Sequence, residues 1–354
     1  MFRRGGNRTS DGATPDFGVA GQPVPSGTGA GASNGGSMAE YTEPGSVEDC
    51  ANAGYRRMFG DDFSVGLFFP ITTAEGPFIP IDEQVDLAEF AEDLGFEALW
   101  FRDVPLFWPN FDDAGQVYDP WVFLSQVAAR TDEVALATGS IILPVRHPVH
   151  VAKAAASVDR LSDGRLVLGV ASGDRPPEFP AFGVDEDETG ELFREHVRVL
   201  RRLWSESYPE IESPFGDLDG SLDLVPKPTT GTLPLLVTGH ARQSPEWIGE
   251  HGDGWVYYQR DPADVAAQVA DWRELAGEKP YTQVLHAAVD SDPTADPVRI
   301  HQGFAAGTDF FREHVRELRD AGVDHVMVNV RKTDPDRDVR EVLAQFADEV
   351  LDEL

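Results

Sequence analysis

Two clusters of hydroxyls and glycines, Thr138-Gly139-Ser140 and Ser172-Gly173-Asp174, each sit directly behind an apolar run. Small residues of this kind let a flat ligand or a phosphate approach the backbone closely. They also serve as ordinary turn residues, and spacing alone does not separate the two readings. A third stretch, Gly239-His240-Ala241-Arg242-Gln243-Ser244, runs into a helix start. Ser244 suits the N-cap, Pro245 the first helical position, and Gly252 the stop. Free backbone N–H groups and the positive end of the helix dipole favour an anion there, and Arg242 adds positive charge. The competing reading is a plain capped turn with Arg242 paired to a surface carboxylate.

The elements around these clusters read clearly. EVALATGSIIL, Glu133–Leu143, is a buried strand, being aliphatic and β-branched with no charge after Glu133. In HPVHVAKAAASVDRLS the residues Val151, Ala154, Ala155, Val158 and Leu161 recur at helical spacing, and Gly164 follows as a stop. RLVLGVAS, Arg165–Ser172, is a second strand. Strand, helix, strand with short links makes a parallel, right-handed βαβ unit. In such sheets chemistry collects at the carboxyl ends of the strands, where the two clusters stand.

The rest of the chain repeats the unit. Strands are expected at Phe63–Pro70, Phe96–Asp103, Leu233–Gly239, Gly254–Tyr258, Tyr281–Asp290 and Val323–Val330. Helices are expected at Asp82–Leu94, Asp119–Arg130, Glu191–Trp204, Ser244–Gly252, Ala263–Ala276, Thr308–Ala321 and Val339–Leu351. Asp119 suits an N-cap, with Pro120 in the first turn. Eight strands alternating with eight helices predict an α/β fold, a (β/α)8 TIM barrel. The competing open doubly wound sheet calls for a glycine-rich GxGxxG after its first strand, where this chain has Phe68-Phe69-Pro70. The stretch from Ser205 to Gly231 is too long for a plain link and marks an insertion after the fourth strand. The long loop Val104–Tyr118 is aromatic. Phe107, Trp108 and Phe111 either wall an apolar substrate pocket or pack on the barrel rim.

Composition excludes some classes. The chain's 354 residues carry 29 Lys+Arg against 62 Asp+Glu, a net charge of −33, with 41% hydrophobic residues. That much apolar content suits a folded core rather than a disordered acidic chain. Surface carboxylates suit a salt-rich cytoplasm, a halophilic-type acidic surface; an acidic partner-binding face is the alternative. Nucleic acid is not expected as a partner, since phosphate binding needs a basic footprint. The one cysteine, Cys50, allows no intramolecular disulfide and fits a reducing, cytoplasmic compartment. No apolar run approaches the roughly 18 residues of a membrane span. Residues 1–54, rich in Gly, Ser, Ala, Thr and Pro, read as a disordered tail, leaving 55–354 as the barrel. A GxSxG match at Gly31, Ser33 and Gly35 has no strand before it and no helix after it, so it reads as chance. No HxH pair ends the first strand, as a metal-dependent barrel hydrolase would have. His147 and His150, three apart at a helix start, read as capping or packing groups before a metal clip, so no metal is expected.

GSIILPVRHP at Gly139–Pro148, AKAAASVDRLSDGRLVLGVASGD at Ala152–Asp174 and SGDRPPEFPAFGVD at Ser172–Asp185 carry a family likeness. The chain resembles the bacterial-luciferase-like flavin-dependent oxidoreductases, in particular their luciferase-type oxidoreductase subgroup, from about Tyr55 to Leu354. The resemblance implies a reduced flavin at the carboxyl face of the barrel. It implies a non-prolyl cis peptide at Gly139–Ser140, flavin contacts from Thr138, Ser140, Ser172 and Gly173, and a phosphate turn of Gly239, His240, Arg242, Gln243 and Ser244. It implies that the region between strands four and five lies over the mouth, as a lid or a dimer-facing arm. The histidine that light-emitting members carry after strand two is replaced by Arg102-Asp103-Val104-Pro105. Asp103 is then the nearest acid/base candidate, or a carboxylate that caps or pairs with Arg102. The first expectation is a monooxygenase using reduced FMN from a separate flavin reductase, with oxygen, on an apolar small molecule. A deazaflavin-dependent hydride transferase on the same fold is the alternative, and a flavin-binding protein without catalysis a further one. The resemblance also implies a homodimer.

Overall fold

The computed structural model describes residues 50–61, 63–71, 80–108, 110, 118–334 and 336–354. Most of the segment expected to be a disordered tail, residues 1–49, lies outside them. Eight parallel strands form the barrel: β1 (Ser64–Phe69), β2 (Ala98–Phe101), β3 (Ala135–Thr138), β4 (Leu166–Ala171), β5 (Leu235–Thr238), β6 (Gly254–Tyr257), β7 (Tyr281–Val289) and β8 (His325–Lys332). Each pairs with the next, and β8 pairs back onto β1 with Ser64 opposite His325. The (β/α)8 barrel read from the sequence is therefore the fold.

The helices are α1 (Ala53–Phe59), α2 (Ile81–Asp93), α3 (Pro120–Ala128), α4 (Pro148–Leu161), α5 (Thr189–Ser205), α6 (Pro245–His251), α7 (Pro262–Ala276), α8 (Thr308–Asp320) and α9 (Val339–Val350). Successive strand residues face opposite ways. Val65, Leu67 and Phe69 of β1 and Leu99 and Phe101 of β2 join Leu87, Ala88, Phe123 and Phe346 in the layer between strands and helices. Ala98, Trp100, Ala135, Ala137, Val167, Leu236, Val256, Val284 and Met327 fill the barrel interior. Mixing one tryptophan with several alanines lets the interior close without a pore.

The sequence reading left α1 unassigned. Asn52 caps it, its side chain accepting from the Tyr55 N–H. Its first residues, Ala53 and Gly54, donate to the Gly164 carbonyl, and the Tyr55 hydroxyl donates to the Asp253 carbonyl at 2.7 Å. Gly164 and Asp253 precede β4 and β6, so α1 closes the amino-terminal end of the barrel, away from the strand ends that carry chemistry.

Above α1 lies a buried polar chain. Trp100 Nε1 donates to His325 Nε2 at 3.0 Å, so the imidazole proton sits on Nδ1, which donates to Ser64 Oγ at 2.6 Å. Ser64 in turn donates to the Met58 carbonyl. Burial pushes the His325 pKa down to about 3, so this imidazole stays neutral. Unfolded, it would titrate near 6.5. Between those values the unfolded chain holds a proton that the folded chain refuses, so stability falls as pH falls through this window. At pH 5 this group alone is expected to account for a loss of about 2 kcal/mol relative to pH 7 or above. Urea unfolding at pH 7 and pH 5 checks it: the difference between the two pH values should shrink in His325→Asn. An equal difference in both proteins would contradict a neutral buried imidazole.

Two readings change. The run Glu133–Leu143 is not one strand. β3 stops at Thr138, and Ile141–Ile142 resumes beside Val170 and Ala171 of β4. The insertion between β4 and β5 is real, but only its first part lies at the mouth. After α5 the chain runs down the flank of α4. Phe215 meets His147, Lys153 donates to the Val225 carbonyl, and Arg160 donates to the carbonyls of Lys227 and Pro228. A short antiparallel pair, Glu210–Ile211 with Leu218–Asp219, is the regular structure on that path. The long helix α5 carries the chain away from the mouth, so residues 206–231 do not cover it.

Candidate functional site

A cleft of about 290 Å³ opens at the carboxyl ends of β2 to β6. It lies at the small end of the range for small-molecule sites. Arg102 and Asp103 reach it from β2, Gly139, Ser140 and Ile142 from β3, and Ala171 to Arg175 from β4. Thr238 to Ala241 come from β5 and Tyr258 from β6. Seven of the residues picked from the sequence thus meet here: Asp103, Gly139, Ser140, Ser172, Gly173, Gly239 and His240.

The glycines keep the cleft open. A Cβ on Gly139 would sit 3.0 Å from the Phe68 ring and 3.3 Å from the Met327 sulfur. One on Gly173 would meet the Phe179 ring at 3.0 Å, and one on Gly239 the Tyr258 ring at 3.2 Å. The Gly139–Ser140 peptide is cis, at the position the resemblance implies. Ser140 Oγ and Thr238 Oγ1 share a hydrogen bond at 2.5 Å across the floor. Thr138 does not face the cleft. It is fully buried, and its hydroxyl donates to the Gly169 carbonyl at 2.7 Å, locking β3 to β4.

Asp103 is fully engaged. Arg146 grips it with Nε–Oδ2 at 2.8 Å and Nη2–Oδ1 at 2.6 Å, and the Ile142 N–H donates to Oδ2 at 3.1 Å. Pairing with Arg102 was one of the alternatives for Asp103; the observed partner is Arg146, three residues beyond Leu143 on the far side of the cis peptide. Burial works against the Arg146 charge, yet hydrogen bonding and charge from Asp103, with Asp119 behind, leave its pKa raised. The fork ties the segment after β2 to the segment after the cis peptide.

Behind the cleft, Glu178 is buried beside Arg175 and accepts from the Leu106 N–H at 3.2 Å. Burial pushes its carboxyl pKa up, and Arg175 opposes the rise. Burial, and then Asp174, likewise raise the Tyr258 hydroxyl. Asp174 of the second cluster also lines the cleft, while Arg102, Arg175, Thr238 and Tyr258 line it and were not chosen from the sequence as site residues. Asp174 and Arg175 lie inside the SGDRPPEF run, which was the available signal; nothing local marks Tyr258 or Thr238.

The turn after β5 has a left-handed backbone at Gly239, Ala241 and Arg242. Trp255 Nε1 donates to the Gly239 carbonyl at 2.6 Å, and Tyr257 OH meets His240 Nε2 at 3.2 Å. Gln243 is buried, donating to the Gly190 and Ala241 carbonyls while Arg194 donates to its Oε1. It staples the turn to the start of α5. Ser244 caps α6, accepting from the Trp247 N–H. Arg242 pairs with Glu186 at 2.9 Å, the surface pairing named as an alternative. Arg242, Gln243 and Ser244 border the cleft without lining it.

The aromatic residues are not brought in. Phe107 is 57% exposed, and neither it nor Trp108 lines the cleft; Phe111 lies outside the described residues. His147 and His150 stand on the α4 flank with ring centroids 5.9 Å apart, and His147 Nδ1 accepts from the Val149 N–H as an N-cap. Among the described residues no group of three or more His, Cys, Asp or Glu side chains gathers where a metal would sit. Among them, too, no helix is long and apolar enough to cross a membrane.

The sequence profile of luciferase-like monooxygenases matches residues 63–352. The F420-dependent hydroxymycolic acid dehydrogenase of Mycobacterium tuberculosis is 31% identical over 64% of this chain and 64% of its own length. The 4-hydroxyprotoasukamycin monooxygenase of Streptomyces nodosus subsp. asukaensis is 31% identical over 46% of this chain and 43% of its own. The chain thus spans less than two thirds of the curated relatives it matches. The crystal structure of the monooxygenase RslO1 from Streptomyces bottropensis superposes with a TM-score of 0.70 over 82% of this chain and 99% of that one. At 22% identity it speaks to the fold alone.

Proposed function

Because this chain belongs to the luciferase-like monooxygenase family, we propose that it is an oxidoreductase that holds a reduced flavin in the cleft at its barrel mouth. The observation that carries this reading is the glycine-floored cleft across β2 to β6, since a side chain at Gly139, Gly173 or Gly239 would project into packed neighbours or the cleft itself. The residues present suit a flat, polar-edged ring with a phosphate tail. Ser140, Ser172 and Thr238 supply hydroxyls at the floor, and the turn from Gly239 to Ser244 would hold the phosphate, with Arg242 exchanging Glu186 for it. Bound reduced FMN supplies two electrons for oxygen insertion, whereas a deazaflavin supplies hydride. The chain's own residues position, exclude water and set polarity. The Arg146–Asp103 fork fixes the segment after β2 against Ile142. Glu178 holds the Leu106 backbone, drawing the loop after β2 toward the loop after β4.

Monooxygenation with reduced FMN and oxygen is the first reading, with the reduced flavin delivered by a separate reductase. Deazaflavin-dependent hydride transfer is the second, favoured by the similarity to an F420-dependent dehydrogenase. A small organic substrate, a homodimer and a cytoplasmic setting complete the proposal.

Anaerobic fluorescence titration in high salt with reduced FMN and with the reduced deazaflavin tests it. Tight binding of one of them is expected. Arg242→Ala should weaken it about tenfold, the scale of a charge-assisted phosphate contact. Preference for the deazaflavin would replace oxygen insertion by hydride transfer. Binding of neither would remove the cofactor assignment.

A further inference from the structure

The mouth has a second side. The cleft occupies the ends of β2 to β6, while β7 and β8 close the barrel opposite it. On β7, Val284 belongs to the barrel interior and Leu285, Ala287 and Val289 to the outer layer, so His286 faces inward one step nearer the mouth. On β8, Met327 is interior and Val326, Val328 and Val330 are outer, so Asn329 and Arg331 face inward. The register sets Asn329 opposite His286 and Arg331 opposite Ala288. Arg102, above interior Trp100 on β2, lies over the Phe68 ring at 5.6 Å and also lines the cleft.

Arg331 stands out in a chain with 62 acidic residues. Several other half-buried arginines have carboxylates: Arg146 has Asp103, Arg201 has Asp253, and Arg273 has Asp324. Arg331 is partly buried, and among the described residues it has no hydrogen-bond or ion-pair partner. A guanidinium with no carboxylate of its own is free to take a bound anion as its partner, with charge-assisted hydrogen bonds. Burial first, then the charges of Arg331 and, more weakly, His301 and Arg102, hold the His286 imidazole at about 4. His286 is therefore neutral near pH 7, and the charges of both arginines act on it. A long-range excess of acid elsewhere would repel an anionic substrate, so a site that takes one must concentrate cations locally.

We infer that Arg331, with Arg102 across the mouth, binds an anionic group of the substrate, a carboxylate, sulfonate or phosphate, beside the cofactor cleft. This rests on the reading of that cleft as the cofactor site. It replaces a wholly apolar substrate by one with an acidic end and an organic body directed at the cleft.

Calorimetric titration at fixed ionic strength tests it, using hexanoate, hexanesulfonate, hexyl phosphate and uncharged hexanol, with and without reduced cofactor. At least one anion should bind about 10- to 100-fold tighter than hexanol. Arg331→Met should bring that anion to the level of hexanol, Arg331→Lys should retain part of the preference, and hexanol binding and the melting temperature should stay unchanged. The three anions distinguish which acid is read. Equal binding of hexanol and all anions would overturn the inference, as would an anion affinity unaffected by Arg331→Met. A parallel loss of cofactor affinity in Arg331→Met would overturn it too, by assigning Arg331 to the cofactor. If neither cofactor binds but the Arg331-dependent preference persists, the cofactor reading fails and the anion site stands.

Discussion

Gly169→Ala is expected to destabilise the barrel by about 3 kcal/mol or more, because the added methyl has nowhere to go. Gly169 lies in β4, and a Cβ there would fall 1.8 Å from the Thr138 carbonyl oxygen. That contact is with backbone, so no side-chain rotation relieves it and β3 must separate from β4. The same pair is joined by the Thr138 hydroxyl donating to the Gly169 carbonyl. Thr138 directly precedes Gly139 and Ser140 on the cleft floor, so the shift should also weaken cofactor binding. Urea unfolding and the cofactor titration read the two effects. Gly183→Ala serves as a control. Its φ is +69° but it has open space around it, so backbone strain alone should cost about 1–2 kcal/mol there. Equal losses at both positions would show that the close approach of β3 and β4 does not matter.

Asp103→Ala should cost about 3–5 kcal/mol, the scale for removing one partner of a buried ion pair. The Asp103 side chain is 1% exposed, and its loss strands the Arg146 guanidinium, which is 20% exposed. It also removes the acceptor of the Ile142 N–H, freeing the segment that follows the cis peptide. Asp103→Asn keeps the shape and part of the hydrogen bonding and should lose less. Turnover with the bound cofactor separates two roles. If Asp103 positions the loop, Asp103→Asn should keep the shape of the pH–rate profile and raise KM more than it lowers kcat. If Asp103 exchanged a proton with substrate, kcat would collapse and a limb of the pH profile would vanish while the fold persisted.

The barrel was legible because its signals are local. Apolar runs at Ser64–Phe69 and Leu166–Ala171, helical periodicity from Val151 to Leu161, and caps at Asp119 and Ser244 each fix an element from a few neighbours. The short helix α1 was missed since its value lies in distant partners, Gly164 and Asp253, that no local pattern announces. The cleft was half legible. Residues at strand ends, Gly139, Ser140, Ser172, Gly173, Gly239 and His240, follow from the rule that parallel strands deliver their carboxyl ends to one face.

What the tertiary structure alone decided was partnership. Asp103 could have met Arg102, its neighbour in the chain. The fold gives it Arg146, because the segment after β3 brings that fork to the buried side while Arg102 turns inward over Phe68. Arg242 finds Glu186, Gln243 finds Arg194 and Gly190, and Thr138 turns away from the cleft to bind β4. The aromatic residues Phe107 and Trp108 stay off the cleft. Sequence by itself determined which elements form and which ends of the strands face together, since hydrophobic period and caps are short-range. Which charges meet depends on side-chain direction over distances that only barrel closure sets.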